Sequence, residues 1–82
     1  MMTTRPPEEL VQYAQVHQEI HNVNQTWLTI EEIVSLAALK GAELIHWNIP
    51  QGNDYSYRVK YKEYEFIALS QQPLTLPIQK KL

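Results

Sequence analysis

Apolar residues recur at helical spacing in two early stretches of this chain and at alternate positions in three later ones. From Pro7 to His21, Leu10, Tyr13, Ala14, His17 and Ile20 fall three or four residues apart, with Gln12, Gln15, Gln18 and Glu19 on the wet side. Pro6-Pro7-Glu8-Glu9 is helix-start chemistry, because proline is tolerated in a first turn and acids suit its positive end. Asn22, Asn24 and Gln25 then make a polar break, and Trp27 is expected to anchor the connection against the core.

The second helical stretch carries the clearest signals. Thr29 and Glu32 have the spacing of a capping box, in which each side chain serves the other residue's backbone N–H. Leu28 and Ile33 stand where a hydrophobic staple would hold the entry of the chain. Ile30, Ile33, Val34, Leu36, Ala37, Ala38 and Leu39 form a stripe too broad for one narrow contact, so the helix is expected to be covered on more than one side. Gly41, able to take a left-handed conformation, is the expected stop.

After Gly41 the period changes to two. Ile45, Trp47 and Ile49 alternate with Leu44, His46 and Asn48, predicting a strand over residues 43–49. Turn residues follow over 50–54. Tyr55, Tyr57, Val59 and Tyr61 then alternate with Ser56, Arg58 and Lys60, and Tyr64, Phe66 and Ala68 continue the pattern. A two-residue turn at Lys62-Glu63 would set Val59 opposite Phe66, Tyr57 opposite Ala68 and Lys60 opposite Glu65. Lys-Glu is poor type I′ chemistry, which leaves room for a longer loop or bulge. Pairing Ile49 with Tyr55 would put Ile45, Trp47 and Ile49 on the tyrosine face. The predicted fold is α+β: two N-terminal helices packed on a three-stranded antiparallel β-meander, followed by an extended C-terminal tail. Residues 1–5 and roughly 71–82 are expected to be flexible or extended, and Leu74, Leu76 and Ile78 alternate as an edge strand or an arm onto a partner would.

At 82 residues the chain is expected to form one domain. So short a chain buries only roughly 60% of its unfolded surface, so a second copy is a candidate partner. A hydrophobic fraction of 44% and a charged fraction of 20% argue against wholesale disorder. The net charge of −2 supplies no general attraction to nucleic acid or anionic lipid. Zero cysteines exclude disulfides, thiolate metal sites and a cysteine nucleophile. With no leader-like or membrane-spanning apolar run, the expected compartment is the cytosol and no membrane partner is expected.

Candidate chemistry is sparse. His17 and His21 have the i, i+4 spacing at which two imidazoles can share a metal, but a third ligand would have to come from His46 or Glu43. Glu8-Glu9 and Glu31-Glu32 are explained as first-turn acids, and adjacent helical residues point apart. Ser35, Ser56 and Ser70 lack a nucleophile elbow, and two glycines cannot build a phosphate loop. No enzyme, cofactor, metal or small-molecule substrate is therefore expected.

Two binding classes remain. Residues 29–41 resemble the first helix and turn of a helix-turn-helix, a resemblance covering about a quarter of the chain. The recognition helix has no counterpart, since residues 42–49 are strand-patterned, lack Arg and Lys, and end at Pro50. Arg58 and Lys60, on the sheet face opposite the tyrosines, are the residues a nucleic-acid-binding regulator would use. The favoured class is a non-enzymatic protein-interaction or regulatory module, because the aromatic share is large for so small a core and Tyr and Trp suit interfaces. Its expected contact residues are Tyr13, His17, Trp47, Tyr57, Leu74, Leu76 and Ile78.

Overall fold

A computed structural model of the chain describes residues 5–77. Two helices, α1 (Pro7–His21) and α2 (Ile30–Ala37), pack on one face of a sheet built from β1 (Gln25–Trp27), β2 (Glu43–Gln51), β3 (Asp54–Tyr61) and β4 (Tyr64–Ser70). The sheet order is β1-β4-β3-β2. The class is α+β, as the periodicity predicts, but the sheet is four-stranded and mixed rather than a three-stranded meander. The added strand is β1, which lies parallel to β4 with Thr26 opposite Phe66. Three residues are too few to display a period, so this strand is invisible to a pattern search. Its pairing also reverses the expectation for Trp27. Thr26 points into the core, whereas Trp27 points outward and is 59% exposed.

α1 begins and ends as predicted, with Asn22 closing it in a left-handed conformation (φ 57°) and bonding back to the Gln18 carbonyl. Only Leu10 and Ala14 of α1 are fully buried, and Ile20, expected on the core side, is exposed. The capping box of α2 is complete: Thr29 Oγ1 accepts from the Glu32 N–H at 3.2 Å, and Glu32 Oε1 accepts from the Thr29 N–H at 3.1 Å. The helix stops earlier than Gly41. It closes at Ala37, and the chain turns through Ala38 to Gly41, which takes a positive φ of 93°.

Tyr57, Val59, Phe66 and Ala68 are wholly buried and meet Ile33, Leu36 and Ala37 of α2 with Leu10 and Ala14 of α1. The β3–β4 register is the predicted one, and Lys62-Glu63 is a two-residue turn joining the Tyr61–Tyr64 pair. Positive φ falls on Lys62 (59°) and not on Glu63, the sign pattern of a type II′ turn rather than type I′.

β2 departs from the predicted alternation. Leu44 pairs with Val59, His46 with Arg58 and Ile49 with Ser56, so β2 carries one extra residue between each of these pairs. Two bulges in one edge strand shift the register twice. Leu44 and Trp47 consequently pack on the core, while Ile45 and Ile49 are exposed. Ile49 therefore pairs one residue away from the predicted Tyr55. Asn48 sits within the second irregularity in a left-handed conformation (φ 56°), which asparagine tolerates better than most residues.

Candidate segment-binding site

The helices do not cover the inner face of the sheet completely. α1 lies over β1 and β4, and α2 over β4 and β3. At the β2 side the cover is supplied by the chain after β4, where Leu74 packs against the core beside Trp47. Ser70 starts this segment by accepting from the Gln72 N–H at 3.2 Å and donating to the Gln72 carbonyl at 2.8 Å.

Asn48 holds the segment in place. Its Oδ1 accepts from the Leu74 N–H at 2.9 Å, and its Nδ2 donates to the Leu74 carbonyl at 2.8 Å. One primary amide thus satisfies both backbone groups of a single residue, as a neighbouring strand would. The Tyr57 hydroxyl donates to the same Oδ1, with the Gln72 carbonyl 3.3 Å away as its other acceptor. Trp47 Nε1 reaches the Leu74 carbonyl at 3.4 Å, and the Trp47 ring stands edge-on to Tyr57 with centroids 4.8 Å apart. Burial pushes the Tyr57 hydroxyl pKa upward, which keeps it a neutral donor across the ordinary pH range.

The β2 bulges create this arrangement. In a regular strand, Asn48 would alternate with Trp47 across the sheet. The left-handed backbone at Asn48 instead leaves both side chains within reach of Leu74.

Three of the expected contact residues, Trp47, Tyr57 and Leu74, come together here, although Tyr57 is a buried donor rather than a surface residue. Leu76 lies two residues further along and is 60% exposed. Ile78 lies outside the described residues. Tyr13 and His17 belong elsewhere: they stack on α1 with centroids 5.9 Å apart, followed by His21 at 4.7 Å from His17. Among the described residues, no cluster of three or more His, Asp or Glu is placed to hold a metal ion.

Arg58 and Lys60, the residues of the nucleic-acid alternative, lie on the outer face among acids. In the strand register Lys60 stands opposite Glu43 on β2 and Glu65 on β4, and Arg58 Nε is 3.8 Å from Glu65 Oε1. The segment after α2, where a recognition helix would stand, is β2.

Asn48 is the residue that the periodic reading misses. Its sequence signal is an amide in the middle of an apolar strand, next to Trp47 and two residues before Pro50. A second polar joint was equally hidden. Arg5, expected in an extended terminus, pairs with Glu32 through Nε–Oε2 at 2.6 Å and Nη2–Oε1 at 3.0 Å, with its guanidinium over the Tyr13 ring. The hydrogen bond from Arg5, reinforced by the Thr29 N–H, lowers the Glu32 carboxyl pKa to about 2.

A cleft of about 240 Å³ opens between the first turns of α1 and the β3–β4 turn, lined by Pro7, Glu8, Val11, Gln12, Tyr61 and Lys62. No helix among the described residues is long and apolar enough to cross a membrane. No protein-family model, curated protein or solved structure matches the chain.

Proposed function

We propose that this chain is a non-enzymatic protein-interaction module whose contact surface is centred on Trp47 and Asn48, with the buried Tyr57 hydroxyl holding the Asn48 amide. The observation that carries the reading is the paired use of the Asn48 amide on the N–H and carbonyl of Leu74. That chemistry recognises extended backbone and transforms nothing. Aromatic side chains flanking a fixed polar group also supply the rigid, amphipathic contacts on which protein interfaces depend.

The test is capture from native lysate by the tagged chain, with and without nuclease, beside the Asn48→Ala and Trp47→Ala variants. A discrete protein that survives nuclease and is lost with both variants supports the reading. Capture indifferent to both variants overturns the placement of the surface. Recovery of nucleic acid, abolished by Arg58→Ala and Lys60→Ala, would transfer the function to the outer sheet face.

A further inference from the structure

We infer that the Trp47–Asn48–Tyr57 seat binds, in trans, an extended aliphatic segment of a partner protein, and that the chain's own Gln72–Leu74 stretch occupies it as an internal competitor. This rests on the interaction-module reading and assigns the chemical class of the partner. The occupant already in the seat defines that class. Asn48 requires one residue whose N–H and carbonyl are both free, which excludes proline at that position and excludes a residue inside a helix. The Trp47 and Tyr57 rings favour an aliphatic side chain there. Pro73 fixes its own φ and pushes Gln72 before it into extended geometry, which lowers the ordering cost of binding.

The internal segment is held at the seat rather than by regular secondary structure. It has no strand partner and no helix of its own, and its described residues after Leu74 include the exposed Leu76. Its specific polar attachments are those to Asn48, Trp47 and Tyr57, plus the short Ser70–Gln72 turn. A tethered competitor of this kind acts at an effective concentration on the order of millimolar, so it suppresses weak segments and admits tight ones.

The experiment uses the full chain, labelled with nitrogen-15, and a capped synthetic peptide of residues 70–77, Ser-Gln-Gln-Pro-Leu-Thr-Leu-Pro. Leu74→Pro removes the N–H that Asn48 reads, so it empties the seat without touching the seat's own residues. The Trp47 indole and Asn48 amide signals of this variant are expected to move, and the peptide is expected to return them towards their wild-type positions. Its affinity for Leu74→Pro should exceed that for the wild type about tenfold or more. The same peptide N-methylated at its first leucine, identical in sequence but lacking the N–H, should fail.

Leu74→Ala, which keeps the N–H and loosens only the side chain, provides the comparison if Leu74→Pro does not fold; it should bind the peptide more tightly than the wild type does. Equal binding of the two peptides, or no recovery of the Trp47 and Asn48 signals, overturns the inference. Concentration-dependent dimers of the wild type that vanish in Leu74→Pro would overturn the assignment to a foreign partner and give the seat to a second copy's tail. Loss of peptide binding alongside intact, seat-dependent capture from lysate would reject the segment chemistry while leaving the interaction module standing.

Discussion

Two polar joints hold non-periodic chain against this domain, and they work by different physics. At the N-terminal side, Arg5 is fastened to Glu32 by a charged fork, and Glu32 simultaneously closes the capping box of α2. At the C-terminal side, Leu74 is fastened to Asn48 by a neutral amide that touches only backbone. The first joint is specific for one side chain, because a guanidinium and a carboxylate must meet in a fixed plane. The second reads only the N–H and carbonyl of Leu74, groups that every residue except proline carries. The charged joint thus depends on the identity of the residue it holds, whereas the neutral joint depends on backbone that is free to bond.

The largest effect should come from Glu32→Ala, which removes the fork and half of the capping box and leaves Arg5 without its partner. A loss of about 2–3 kcal/mol in denaturant unfolding is expected, with the Leu74 amide signal unmoved. Asn48→Ala should cost about 1–2 kcal/mol and carry the Leu74 amide towards its unfolded shift while leaving α2 untouched. If the joints are independent, the double variant loses the sum to within about 0.5 kcal/mol; strong coupling would mean that both ends of the chain are held as one unit.

Acidity should separate the joints next. The Glu32 carboxyl titrates at about 2 in the folded chain against an ordinary 4.5, so the unfolded chain binds the proton first. Its contribution is complete above pH 4.5 and is lost as the pH falls from there towards 2. Because Arg5 remains one-third exposed, the loss is about 1–2 kcal/mol after screening. Glu32→Gln should flatten that portion of the pH–stability curve, and Asn48→Ala should retain it. Thr29→Ala should cost about 1 kcal/mol by calorimetry, since it removes the other half of the capping box. Smallest of all, raising salt from 0.15 M to 1 M should weaken the Arg5 fork by a few tenths of a kcal/mol and leave the Leu74 signals in place.

What the sequence discloses and what it hides follow from the range of each interaction. α1, the start of α2 and the β3–β4 pairing are written in local signals: Pro7 with Glu8 and Glu9, Thr29 with Glu32, and alternation from Tyr55 to Ala68. β1 was hidden because its stability comes from β4 rather than from its own three residues. The inward positions of β2 were misplaced because two bulges, whose effect is tertiary, break its period. The candidate site was half legible. Trp47 and Leu74 stand out as aromatic and alternating apolar residues, but Asn48 looks like an ordinary outward position until its left-handed backbone is known.

The lone parallel pairing also dictates when the molecule can be finished. The two hairpins join strands across two-residue turns, so their loops close at little entropic cost. β1 must find β4 across about forty residues of intervening chain. During synthesis β1 is made before β4 and has no strand to join until residues 64–70 follow. The order of the sheet thus leaves Thr26 and Trp27 of the nascent chain without their strand partner until Phe66 and Ile67 have been made.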